Sequence, residues 1–241
     1  MTTETGKIRV RGLEKSFGAV QVIRGVDLDI SGTQRHLIIG PNGAGKTTFL
    51  NLLSGQLSAS AGEIEFNGET ITHLPVHLRA RRGLGRTFQI ASLFQGLSVW
   101  DNITLAASAP AASDRSRDAI ASRAANALEQ CELETKRSSP VRSLSYGEQR
   151  RLEIALSLAT APAFLLLDEP MAGLTQDERK TLAARIVDLS NTVGIVLIEH
   201  DLEIALTIAE RLTVFHLGKV VADGGPDKVL MDPLVREIYL G

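Results

Sequence analysis

The sequence predicts an α/β protein built on a parallel sheet, with an antiparallel β-rich entrance and a helical stretch set into its middle. Three observations carry this. A short apolar run at His36 to Ile39 stops at Gly40 and gives way near Gly45 to a helical pattern with Phe49, Leu50, Leu52 and Leu53. Phe164 to Leu167 and Ile195 to Ile198 read as strands buried on both faces. Between these regions, Ala106 to Ala127 is rich in Ala and Ser, with scattered charges and few large core residues.

At the entrance, Lys7 to Leu13 and Val20 to Ile30 alternate apolar and polar residues, as half-buried antiparallel strands do. Ser98 precedes the central stretch, with Asp101 placed for a capping box. Thr175 and Glu178 form a second such box, ahead of a helix whose Leu182, Ile186 and Leu189 share one face. No internal repeat is evident.

The 241 residues are 44% hydrophobic and 22% charged, within the range of globular proteins with a packed core. A net charge of −2 gives no global basic field for nucleic acid, so no nucleic-acid partner is expected. The single cysteine, Cys131, cannot form an intrachain disulfide or a thiolate cluster, which fits a reducing compartment. The opening residues lack the pattern of a signal peptide, and every apolar stretch is far shorter than the roughly 20 residues that span a bilayer. A cytoplasmic chain that meets a membrane only through partners is expected.

Gly40, Pro41, Asn42, Gly43, Ala44, Gly45, Lys46 and Thr47 match G-x-x-x-x-G-K-[ST] in the strand-to-helix context that gives the motif meaning. Glycines let the backbone curl until its N–H groups point at phosphate oxygens. Lys46 would bridge the β- and γ-phosphates, Thr47 would ligate Mg²⁺, and Thr48 would support the α-phosphate. A glycine turn before an ordinary helix is the plain alternative, and the loop alone says only that a nucleoside triphosphate binds.

The strand from Phe164 ends in two acids, Asp168 and Glu169, at the sheet edge where ligands of such folds bind. Asp168 would hold Mg²⁺, and Glu169 would orient or deprotonate the attacking water. His200 ends the next apolar strand and can reach a γ-phosphate from the same edge, whereas Asp201 could simply cap the following helix.

What lies between the two motifs decides the class. Leu144, Ser145, Tyr146, Gly147, Glu148 and Gln149 resemble the signature of ATP-binding-cassette proteins, and the order of phosphate loop, Arg86-to-Gln89 segment, signature, acidic strand and His200 is similar to that family over nearly the whole chain. Ser145 and Glu148 are also a capping box, and a capped N-terminus with a hydroxyl and Gly147 suits an anion.

The resemblance implies a RecA-like core at residues 1 to 88 and 146 to 241, including the β subdomain, with a helical subdomain at 89 to 145. It implies a head-to-tail pair of cassettes closing over two ATP molecules, with Ser145, Gly147 and Glu148 acting on the opposite copy's nucleotide. Gln89 matches the glutamine that touches the metal and joins the core to the helical subdomain, and Phe17 matches the aromatic on which adenine stacks. The implied partners are a second cassette chain (identical or a paralogue), two transmembrane permease subunits and, indirectly, a solute-binding protein outside the membrane. The implied location is the cytoplasmic face of the plasma membrane.

Tyr146 and Glu148 depart from the common Leu-Ser-Gly-Gly-Gln form. With Arg86 to Ile90, Ile198 to Asp201 and the closing Tyr239 to Gly241, they resemble ATP subunits that import branched-chain or other hydrophobic amino acids, or urea. Thr175 stands where the family usually has Asp or Asn. The rivals are a soluble cassette protein working on DNA or ribosomes, which would carry a coiled-coil insertion or a second cassette, and a phosphate-loop kinase, which would lack the signature.

Overall fold

In the computed structural model, residues 6–240 are described except 33, 88–92, 110–115 and 201. The entrance is a hairpin of β1 (Lys7–Phe17) and β2 (Val20–Ser31). Register shifts after Val10, Leu13 and Lys15 let β1 run past Leu13, where the simple alternation ends. Strand β3 (Arg35–Ile39) leads through the glycine loop to α1 (Lys46–Ser54). Next come β4 (Ala61–Phe66), β5 (Glu69–Thr70), α2 (Val76–Arg81) and β6 (Leu84–Arg86).

The central helices are α3 (Val99–Ala107) and α4 (Arg117–Gln130), followed by 3₁₀ turns at Glu134–Lys136 and Val141–Ser143. Then α5 (Tyr146–Leu158), β7 (Phe164–Asp168), α6 (Gln176–Leu189), β8 (Gly194–Ile198) and α7 (Leu202–Ile208) alternate. The chain closes with β9 (Arg211–His216), β10 (Lys219–Gly224), α8 (Pro226–Leu230) and α9 (Pro233–Leu240). The capping boxes expected at Ser98, Ser145 and Thr175 are all formed.

A six-stranded sheet runs β10-β9-β3-β8-β7-β6, parallel except for the β9–β10 pair, and a four-stranded antiparallel sheet runs β2-β1-β4-β5. Because side chains alternate along a strand, the central strands feed two cores. Leu165, Leu167, Ile195 and Leu197 pack with Val99, Ile103, Leu152 and Ile186 on one face. Leu166, Val196, Ile198 and Ile38 pack with α1 and the antiparallel sheet on the other. The glycine loop, the Asp168 end of β7 and the Ile198 end of β8 therefore come to one edge, as sequence reasoning expects of a parallel sheet.

Arg79 is a surprise in the second layer. It is 1% exposed and donates to the carbonyls of Leu52, Leu53, Thr72 and Leu74, closing the C-terminus of α1 with a cation where the helix dipole is negative. Burial pulls its pKa down to about 10. Within the described residues, no helix is long and apolar enough to cross a membrane.

Candidate functional site

The loop between β3 and α1 takes its path from glycine. At Gly40 a Cβ would lie 2.2 Å from the Phe215 carbonyl, and at Gly45, with φ of +103°, it would lie 2.8 Å from Ile23. Gly45 is also the N-cap of α1 and offers no side-chain acceptor, which leaves first-turn amides available to an anion. Val22, residues 42 to 48, Glu169 and His200 line a cavity of ≈ 340 Å³ at this point. Asn42, Gly43, Ala44, Gly45, Lys46, Thr47 and Thr48 are thus together as expected, while Gly40 and Pro41 meet the site through Lys46.

Lys46 is 6% exposed, and its Nζ donates to the carbonyls of Gly40 at 2.7 Å and Pro41 at 3.1 Å. Burial lowers its pKa, while the charges of Glu169 and Asp168 act the other way. Its resting bonds are to neutral carbonyls, so a phosphate oxygen would offer a stronger, charge-assisted acceptor.

The Asp168 carboxylate is fully buried. Its Oδ1 lies 3.5 Å from the Thr47 hydroxyl, and its Oδ2 accepts from Arg86 at 3.2 Å. Burial raises its pKa; the Arg86 charge lowers it and the Glu169 charge raises it further. The two oxygens facing each other, one hydroxyl and one carboxylate, fit a hard divalent cation such as Mg²⁺. Gln89, the third metal residue expected from sequence, lies outside the described residues, as does Asp201.

Glu169 follows directly with φ of +51°, an uncommon conformation for a non-glycine residue and one often found at functional sites. Its amide donates to the Ile198 carbonyl at 2.9 Å. Its carboxylate Oε1 lies 2.8 Å from His200 Nε2, and both side chains remain partly open to the cavity. The two candidate reacting groups are therefore in direct contact.

Three residues here escaped sequence reasoning. Arg86 is paired with Asp168 across 82 positions. Glu199, 4% exposed, accepts from the Met171 amide at 2.8 Å and the His200 amide at 3.3 Å, tying together the loops that follow β7 and β8. Burial pushes its pKa up to about 6, against the pull of those two amides. Tyr239, quoted only as part of a closing motif, has its phenol pKa pushed up to about 12 by burial, with the Gly40 backbone acting the other way. All three stood inside motifs quoted for the family resemblance, but nothing in their spacing pointed to these contacts.

Phe17 is 48% exposed, with the Lys15 ammonium 5.0 Å from its ring centre. It pairs with Val20 at the hairpin tip, two residues from Val22 in the cavity wall.

Ser145, Gly147 and Glu148 form a separate surface. Ser145 Oγ accepts from the Glu148 amide, and the Glu148 carboxylate accepts from the Ser145 amide at 2.8 Å and pairs with Lys136 at 3.1 Å. Gly147 lies so close to α6 that a Cβ would stand 2.4 Å from a Glu178 oxygen, and Gly173 is similarly close to the Tyr146 ring. The cleft beside Gly147, lined by Arg151, Leu174, Asp177 and Glu178, shares no residue with the phosphate cavity.

Known proteins give the same outline. The family described as ABC transporter matches residues 23–172. A probable ABC transporter ATP-binding protein of Azorhizobium caulinodans is 38% identical over 99% of this chain and 84% of its own length. The high-affinity branched-chain amino acid transport ATP-binding protein BraF of Pseudomonas aeruginosa is 37% identical, and the lipopolysaccharide export system ATP-binding protein LptB of Escherichia coli 36%, each over 97% of both chains. The ADP conformation of an ATP-binding cassette of an ABC transporter superposes with a TM-score of 0.88 at 28% identity, covering 98% of this chain and 99% of the other.

Proposed function

The chain belongs to the ABC transporter family as a nucleotide-binding ATPase subunit, and from that premise we propose that it hydrolyses ATP at a site shared with a second cassette to drive import of a branched-chain or other hydrophobic amino acid, or a related small solute. The observation that carries the hydrolytic reading is the 2.8 Å contact of Glu169 with His200 in the wall of a cavity floored by Lys46 and Thr47.

The triphosphate lies along residues 40 to 48, its charge met by loop amides, the α1 dipole and Lys46. Adenine stacks on Phe17. Thr47 and Asp168, with Gln89, would hold Mg²⁺, which would supply charge neutralisation for the triphosphate. Glu169 orients water in line with the γ-phosphate and takes its proton, and His200 fixes the Glu169 carboxylate while facing the same phosphate. Ser145, Gly147 and Glu148 of the second cassette, identical or a paralogue, complete the site with a helix N-terminus and a hydroxyl.

Coupling runs through the helical subdomain at residues 89 to 145, set into a core of residues 1 to 88 and 146 to 241. A cleft of ≈ 310 Å³ in the core, reached from the helical subdomain by Leu93, is lined by Val76, Leu84 and Leu156, with Arg86 and Glu153 at its polar side. An apolar cleft of this kind suits a helical segment from one of two permease subunits. The chain then works from the cytoplasmic face of the plasma membrane, and a solute-binding protein meets the permeases on the far side.

BraF and LptB are nearly equally similar, so overall identity does not select the solute. The import reading is favoured by Tyr146, by Arg86 to Gln89 and by Glu199 with His200. Purification of tagged chain from native membranes, with identification of what accompanies it, tests the reading. Hydrophobic amino acid permeases and a second cassette support it; export-system proteins or ribosomes overturn it.

A further inference from the structure

We propose that Arg86 is a positioning residue for the metal site: it holds Asp168 Oδ2 so that Oδ1 faces the Thr47 hydroxyl, where these residues would hold the divalent cation. This rests on the reading of Thr47 and Asp168 as metal ligands.

Arg86 ends β6, which pairs in parallel with β7, so its side chain starts beside the strand that delivers Asp168. Its guanidinium is nearly buried, and its two terminal nitrogens are used on different partners: Nη2 donates to Asp168 Oδ2 at 3.2 Å, and Nη1 donates to the Ser54 hydroxyl at 2.9 Å. Ser54 is the last residue of α1, and Thr47 is the second. One planar fork thus fixes the carboxylate relative to the helix that carries the other metal oxygen. With Oδ2 occupied, the carboxylate has one oxygen left to present, and that oxygen is the one 3.5 Å from Thr47. Partners that orient a metal ligand in this way set affinity without touching the ion.

Arg86 also faces the apolar cleft, and its carbonyl accepts from the Ser157 hydroxyl of α5. An occupant of that cleft therefore meets the residue that orients Asp168.

The test is the dependence of labelled-ATP binding on Mg²⁺, measured by equilibrium dialysis on the full chain. In Arg86→Met, the Mg²⁺ concentration for half-maximal enhancement of binding rises about 10–100-fold, whereas binding in chelator stays close to that of the parent. Arg86→Lys recovers part of the loss, because an ammonium can pair with Oδ2 without holding Ser54 as well. Ser54→Ala, a milder change, shifts the midpoint the same way by less and serves if Arg86→Met does not fold. An unchanged or lowered Mg²⁺ midpoint overturns the proposal, as does an equal loss of binding in chelator, which would make Arg86 a support for the helix only. Asp168→Asn separates the two readings: metal dependence that survives it sinks the metal assignment itself, whatever Arg86 does.

Discussion

The phosphate-loop half of the site and the signature half are built on opposite plans. The first is tied by side chains far apart in sequence: Thr47 to Asp168, Arg86 to Asp168, Glu169 to His200. These come from α1, β6, β7 and the end of β8, and the central charged groups, Lys46 and Asp168, are buried. The second is built around a local capping box, with Ser145 and Glu148 bonding each other and Tyr146 left 50% exposed, and its longer-range ties are the Lys136 ion pair and the close approach of Gly147 to Glu178. On the proposed reading, one half would grip a triphosphate through groups set in place by the sheet, while the other would offer a helix N-terminus and a hydroxyl to a phosphate held elsewhere.

That contrast predicts separable losses. The largest is Glu169→Gln, for which turnover falls roughly 10²–10⁴-fold while ATP affinity holds, since general-base catalysis is worth about that much; phosphate release and equilibrium dialysis check the two arms, and wild-type turnover would show that Glu169 is not the base. Next is Gly147→Ala, whose Cβ would push against Glu178 and displace the signature surface. A displacement of that kind costs about 10²-fold in turnover, with ATP binding to the isolated chain unchanged and folding checked by circular dichroism. If binding falls in step, the two halves are not independent.

Lys46→Ala reverses the pattern by weakening ATP binding to the isolated chain about 10–100-fold, the range for lost charge-assisted hydrogen bonds. Unchanged affinity in dialysis would count against the phosphate loop as the grip.

The smallest effect probes the strand beneath the loop. His36 on β3 is fully buried, with Nε2 2.6 Å from the Thr213 hydroxyl and Asp223 beyond it. Burial lowers its pKa to about 4; the Asp223 charge opposes this and the Arg211 charge adds to it. A folded pKa below the unfolded value near 6.5 means the neutral form is the folded one. Stability from this residue is therefore complete above about pH 6.5 and declines as pH falls toward 4. Urea midpoints at pH 7.5 and pH 5 should differ less in His36→Gln than in the parent, and an equal difference would remove His36 from the account.

The same contrast explains what the sequence made legible. Local devices could be read outright: the glycine loop, the acids closing an apolar strand, and the boxes at Ser98, Ser145 and Thr175 depend on residues within a few positions of one another. Longer-range devices could not. Arg79 carries no sequence signal of its role, yet it folds inward to close α1 because four carbonyls converge on it. Arg86 meets Asp168, and Glu199 meets Met171, only because the parallel sheet sets their strand ends side by side. β1 outran its alternating pattern because bulges restored pairing where the pattern failed.

The central claim is that Ser145 of one chain completes the nucleotide held by Lys46 of another. A cryo-EM reconstruction of the transporter trapped with ATP in the Glu169→Gln form tests it most directly. The account predicts Ser145 Oγ and the Gly147 amide of one cassette within hydrogen-bonding reach of the γ-phosphate bound at the other's Lys46. Density for ATP at Lys46 with Ser145 turned to solvent in both cassettes would contradict it.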